Sequence, residues 1–253
     1  MRTRTYATAQ QTGLRDNQCD ATAMSTAPSG ARAYVLLDGI GSTSAVRDWT
    51  RGAAVRLARR AARRGNAENG LRAAYDAYAE ERAARGEYGP MAAAVVAVTA
   101  PGKPTTIAWC GDSRAYRLTP DGALECLTRD HNLRRVYPPT DWHDGGNRNR
   151  ITSCLGATHT DEERMNGYGH PAIETATVPP GTWRLLLASD GAYEPHEDGG
   201  HDLAALATGT HLGRAARDIT GLAVTRSIAA TLALDPHRPY ADNATALLAD
   251  ITP

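Results

Sequence analysis

Three aspartates stand at the ends of apolar runs, and that placement limits the folds open to this chain. The run 33–37 stops at Asp38-Gly39, and a second, ending at Ala188, is followed by Ser189-Asp190-Gly191. Asp242 stands directly before the last such run, 243–251. A short apolar run that ends on an acid reads as a buried strand with a polar tip. A sheet can bring several such tips to one spot. Carboxylates gathered there repel one another and resist ionising unless something positive neutralises them. Oxygen ligands without a neighbouring His/Cys set favour Mg²⁺ or Mn²⁺ over zinc. A single Asp-Gly is weak, because Asp commonly caps its own turn; the recurrence carries the inference.

The rest of the chain surrounds these acids with both kinds of secondary structure. Residues 2–11 alternate in a way that suits a strand, and 12–30 is rich in turn formers. Ser42, Thr43 and Ser44 can cap an Ala/Arg-rich helix reaching about Arg64, and a second helix is expected over 71–85. The short runs 91–99, 105–110, 114–118 and 123–127 are separated by Pro-Gly, Gly-Asp and Asp-Gly turns and read as an antiparallel meander. A further strand pair is expected at 173–178 and 183–188, then a helix over 212–234. No repeat or linker divides the 253 residues, so one domain is expected across 1–253. The polar, Gly/Asn-rich stretch 137–150, within a region spanning about 132–150, reads as a short irregular flap.

Charge narrows the partners. Lys+Arg 28 balances Asp+Glu 28, which leaves no global field to attract nucleic acid or an acidic membrane. No apolar run approaches the roughly 18 residues of a membrane span, and the first ten residues lack a signal-peptide core. Cys19, Cys110, Cys126 and Cys154 are scattered without a CxxC pair, so reduced thiols and a cytoplasmic location are expected.

Taken in order, the motifs carry a stronger signal than any one of them. Gly13-Leu14-Arg15 with Asp20 comes first, then Leu37-Asp38-Gly39-Ile40-Gly41, Gly111-Asp112-Ser113-Arg114-Ala115-Tyr116 and Thr128-Arg129-Asp130-His131. Ile151-Thr152-Ser153-Cys154-Leu155-Gly156, Ser189-Asp190-Gly191 and Asp242-Asn243-Ala244-Thr245 follow. From near residue 5 to near residue 251 this series resembles the type 2C protein phosphatases, the metal-dependent PPM family, in its bacterial form.

The resemblance implies an α+β fold, a four-layer αββα sandwich of two antiparallel sheets flanked by helices. It implies two Mn²⁺ or Mg²⁺ ions, with a third bound weakly. Asp38 matches the bridging ligand, Gly39 the carbonyl donor, and Asp190 and Asp242 the other ligands of the pair. Asp112 and Glu194 match the acids of the third site, and Arg15 the arginine that grips the substrate phosphate. Cys19, Asp20 and Asn243 are the expected outer supports. Two cations sharing a water lower its pKa towards neutrality and make it a nucleophile for in-line attack on phosphorus. The implied activity is hydrolysis of phosphoserine or phosphothreonine in protein substrates, with a serine/threonine kinase as a possible partner and a monomer as the expected state.

Three departures qualify this. Cys19 stands where the family has Glu or Gln, Ile40 replaces a histidine found in many eukaryotic members, and the flap is short. Cys19 keeps open the alternative of a pseudophosphatase acting as a binding or regulatory module, and a small-molecule phosphomonoesterase is a further option. Cys19 is also the one thiol placed for redox sensitivity, against the plainer reading of inert packing. His131 reads as a local hydrogen-bonding residue rather than a general acid. His143, His159, His170, His196 and His201 are expected to be solvated, and Arg56, Arg59, Arg60, Arg63 and Arg64 to form an exposed helix face.

Overall fold

The computed structural model describes residues 5–86 and 89–252. In chain order the elements are β1 (Tyr6–Gln11), β2 (Ala21–Thr26), β3 (Arg32–Gly39), α1 (Ser44–Arg64), α2 (Ala67–Arg85), β4 (Ala92–Thr99) and β5 (Thr105–Cys110). Then come β6 (Arg114–Leu118), β7 (Leu124–Cys126), α3 (Leu133–Val136), α4 (Asp161–Tyr168), β8 (Glu174–Val178) and β9 (Trp183–Ala188). The chain closes with α5 (Asp190–Asp198), α6 (Leu203–Ala207), α7 (Leu212–Leu234) and β10 (Ala244–Ile251).

Two five-stranded antiparallel sheets result, ordered β1-β10-β9-β6-β7 and β2-β3-β4-β5-β8. Strand alternation explains why they stack. Tyr34 and Leu36 of β3 pack with Leu185, Leu187 and Leu247 of the opposite sheet, while Val35 and Leu37 face Leu57 and Ala61 of α1. On the other side Leu186 and Leu248 face Ala216 and Ile219 of α7. Strands covered on both faces need no polar alternation, hence the unbroken apolar runs. Each fully buried Leu contributes about 2 kcal/mol. The layers are therefore helix, sheet, sheet, helix, as expected.

Several local expectations need correction. The runs 91–127 do not form one meander: β4 and β5 pair in one sheet, and the chain then crosses at Gly111-Asp112-Ser113 to pair β6 with β7 in the other. Likewise β8 pairs with β5 and β9 with β10 and β6, so these two strands are not partners. Their apolar alternation marks a strand but not its neighbour. Within the turn-rich stretch lies β2, an edge strand of mixed Ala, Thr, Ser and Met that a hydrophobicity pattern passes over. Helix α2 starts at Ala67 rather than near 71, because Asn66 caps it by accepting a hydrogen bond from the Asn69 amide at 2.9 Å. Thr43 caps α1 as expected, accepting from the Val46 amide. Of the first expected strand, residues 2–4 lie outside the described residues.

Candidate active site

The aspartates meet because the two sheets end together. Asp38 lies at the end of β3, and Asp20 immediately precedes β2, whose first residue pairs with Leu37. From the other sheet, Asp190 follows β9 and Asp242 precedes β10, with Ala188 and Ala246 in register between them. Asp112 sits on the crossover from β5 to β6. Asp190 opens α5, where an acid also complements the helix dipole.

Burial and mutual repulsion dominate the electrostatics. Asp38 is held well above the usual carboxylate range, first by loss of solvent and then by Asp20, Asp190, Asp112 and Asp242. Asp112, buried, is raised by desolvation and then by Asp190, Asp130 and Glu194. Asp190 is raised by desolvation and by Asp242, and lies close enough to Asp38 for the two to share a proton in a hydrogen bond. Asp20 is 2% exposed. Desolvation pushes it up to about 7, tempered by the Thr245 and Ser189 hydroxyls nearby. Neither carboxylate oxygen of Asp20 has a partner in full hydrogen-bond geometry.

Arg15 is the cation at the edge of this cluster. Gly13 makes its approach possible: its φ is +62°, and a Cβ there would run into the Asp242 carbonyl oxygen. The Leu14 amide donates to the Ala241 carbonyl at 2.9 Å, and the Asn243 side chain stitches the same loop by donating to Thr12 O and accepting from the Cys19 amide. Arg15 Nη2 then donates to Asp242 Oδ2 at 2.6 Å. The same oxygen accepts from the Tyr240 hydroxyl at 2.9 Å, and Oδ1 from the Asn243 amide at 2.7 Å. Burial and the adjacent Asp242 raise the Tyr240 phenol, which therefore stays protonated and donates.

The donor set fits a hard divalent cation: several buried acids, two orphaned carboxylate oxygens on Asp20, and one arginine to offset them. Among the described residues, no three His, Cys, Asp or Glu side chains are already drawn together tightly enough to hold an ion. The cluster is thus assembled in charge and burial rather than in coordination geometry.

The outer residues divide. Glu194, raised to about 8 by burial and by Asp190, is within electrostatic reach of Asp112, yet its carboxylate is ion-paired with Arg148 at 3.2 Å. Arg148 also makes a bidentate pair with Asp198 at 2.8 and 2.6 Å, so the irregular flap is pinned to α5. Gly39 is required by contact, since a Cβ would stand 2.6 Å from Cys19 O. Cys19 itself is 1% exposed, its thiol raised by burial and directed at Thr43 O at 3.6 Å. That is inert packing.

His131 is a hydrogen-bonding residue, as expected: Nε2 meets Glu174 Oε2 at 3.0 Å, and the ring stacks on His170 at 4.1 Å. The expectation that His170 and His196 are solvated is wrong. Both are fully buried, His170 between Thr152 and the Pro171 carbonyl, and His196 between Ile219 O and Arg226. Tyr240 and Arg148 were not singled out from the sequence, and neither belongs to a motif or apolar run that could have marked it.

No protein-family model and no curated protein matches the chain. Solved structures do. A serine/threonine phosphatase of S. agalactiae superposes with a TM-score of 0.74 at 18% identity, covering 98% of this chain and 99% of that one. The Mycobacterium tuberculosis serine/threonine phosphatase PstP/Ppp gives 0.67 at 22% identity over 98% of each chain. PppA of Pseudomonas aeruginosa, described as a key regulatory component of T6SS, gives 0.66 at 23% identity over 96% of each. The chain therefore has the fold of the bacterial serine/threonine phosphatases.

Proposed function

We propose that this chain is a metal-dependent phosphatase acting on phosphoserine or phosphothreonine in proteins. The observation that carries the proposal is the cluster of Asp20, Asp38, Asp112, Asp190 and Asp242 at one end of the sandwich, with Arg15 at its edge. Asp38, Asp190, Asp242 and the Gly39 carbonyl would hold two Mn²⁺ or Mg²⁺ ions, and Asp112 with Glu194 a weaker third. Bound there, such ions supply Lewis acidity towards the phosphoryl group and a nucleophile at neutral pH.

The chain's own residues account for capture of the phosphate. Arg15 is one-third exposed, its Nε lacks a partner, and its bond to Asp242 can be exchanged for a phosphate oxygen. A guanidinium can pair two phosphate oxygens at once and offset charge as the phosphoryl group transfers. Ile40 has no ionisable side chain, so the leaving alkoxide would take its proton from water or another side chain. The fold shared with solved serine/threonine phosphatases supports a phosphoprotein substrate, with a serine/threonine kinase as the opposing enzyme. The packed, unreactive Cys19 favours a second reading, in which turnover is weak and the fold serves as a regulatory module.

A phosphothreonine peptide and p-nitrophenyl phosphate, each assayed with and without Mn²⁺, separate these readings. Metal-dependent release that disappears in Asp38→Ala is expected. Asp38→Ala should fold at least as stably as the metal-free parent, since it removes a repelling acid. Release from neither substrate would sink the enzyme reading and leave the regulatory one.

A further inference from the structure

Tyr240 makes two contacts at the acid cluster, one to each partner of an ion pair. Its ring lies under the Arg15 guanidinium, with the guanidinium carbon 5.1 Å from the ring centroid. Its hydroxyl donates to Asp242 Oδ2, the oxygen that also accepts from Arg15. Its backbone is clamped to α7. The Tyr240 amide donates to Thr231 Oγ1 at 2.9 Å, and its carbonyl accepts from Ser227 Oγ and Thr231 Oγ1, both at 3.1 Å. Ser227 and Thr231 are one helical turn apart, so a rigid helix face fixes where the phenol points. The residue is 43% exposed, too open for its ring to serve the core.

We propose that Tyr240 is a positioning residue for phosphate capture: its ring holds Arg15 at the edge of the cluster, and its hydroxyl keeps Asp242 oriented once Arg15 turns to an anion. This rests on Arg15 being the phosphate-gripping residue. Without Tyr240, Arg15 would have the Asp242 oxygen as its one fixed contact and would lose its preset orientation when that bond is exchanged. With it, the guanidinium keeps a face contact that does not compete for its N–H groups. Asp242 keeps two donors, the phenol and the Asn243 amide, when Arg15 departs.

The test uses the full-length protein with Mg²⁺ and inorganic phosphate, titrated by calorimetry and as a competitive inhibitor of p-nitrophenyl phosphate hydrolysis. Tyr240→Leu, which removes the aromatic face, should weaken phosphate binding about 2–5-fold, the span of an exposed cation–π contact. KM should rise in proportion, with kcat less affected. Tyr240→Phe keeps the ring and should recover the part of the affinity that the ring supplies, the remaining loss measuring the hydroxyl's hold on Asp242. In an Arg15→Ala background Tyr240→Leu should have no further effect, which a general loss of structure would not reproduce. Should Tyr240→Leu fail to fold, Tyr240→Gln at the same half-exposed position gives the same comparison. Unchanged phosphate affinity in Tyr240→Leu, alongside a loss in Arg15→Ala, overturns the role of Tyr240 alone. An equal loss in both backgrounds does the same. If Arg15→Ala binds phosphate as the parent does, or the parent binds none, the phosphate reading of Arg15 fails and this inference with it.

Discussion

Replacing Asp20 by asparagine tests whether the acid cluster is a stored repulsion awaiting a cation. In the metal-free fold Asp20 titrates at about 7 against 3.8 for an ordinary carboxyl, chiefly because it is buried. At ~1.4 kcal/mol per pH unit, that difference amounts to about 4 kcal/mol against ionisation in the fold, part of which the cluster relieves by relaxing. The sign follows from which state holds the proton. Below about pH 4 both folded and unfolded chains carry it, and Asp20 contributes nothing. Between about 4 and 7 the unfolded chain ionises while the fold does not, so stability falls as pH rises, and above 7 the penalty is complete. The asparagine amide has nearly the shape of the carboxyl and no charge. Urea unfolding of chelator-treated protein should therefore show Asp20→Asn more stable than the parent by about 2–4 kcal/mol at pH 8, with the gain shrinking towards zero near pH 4. His170, depressed by burial to about 4, destabilises the fold as pH falls from 6.5 towards 4, but it does so in both proteins and cancels in the difference. A loss that is equal at pH 5 and pH 8 would refute the electrostatic account and leave Asp20 as a packing residue.

Substitutions at two further positions probe the frame around the cluster. Cys19→Glu adds a carboxylate beside Asp20 and Arg15; the metal-free unfolding midpoint should fall, and Mn²⁺ binding by calorimetry should tighten by about 10-fold, the scale of an outer support to a metal site. Arg114 pairs with Asp130 through two bonds of 2.8 and 2.9 Å, reaches both oxygens of Glu197, and stacks at 4.0 Å on Tyr193, whose hydroxyl donates to Asp112 O. Arg114→Met leaves Asp130 without its cation and should cost about 2–4 kcal/mol in urea unfolding, while Arg114→Lys should recover only part because it cannot form the fork.

The layered fold and the acids Asp38, Asp190 and Asp242 were readable in the sequence for one reason: each of the three ends, follows or precedes a strand covered on both faces. Such strands announce themselves as unbroken apolar runs, 33–37 and 185–188 among them, and the acid stands at or just past the end of the run. What was not readable depends on contacts between distant segments. Pattern alone does not say that β5 pairs with β8 rather than β6, because the crossover at Gly111 changes sheets without changing composition. Nor does it reveal β2, an edge strand that mixes Ala and Met with Thr and Ser. His170 looks like a loop histidine until Thr152 and the Pro171 carbonyl are found on its two ring nitrogens.

Arg15 shows how far these two kinds of information differ. Its place in a motif resembling the type 2C phosphatases suggests a phosphate-gripping role, but not what holds its side chain. That answer comes from 227 residues further along the chain, where Asp242 accepts its Nη2. Tyr240 lies under its face, and the Ala241 carbonyl fixes its loop. An arginine already shared between a carboxylate and an aromatic face gives up only one bond to take a phosphate. On the proposed reading the cluster and its cation form one device: burial and repulsion disfavour ionisation of Asp20, Asp38, Asp112 and Asp190 in the metal-free fold, and a cation entering there would also weaken the Asp242 attraction that holds Arg15 from its anion.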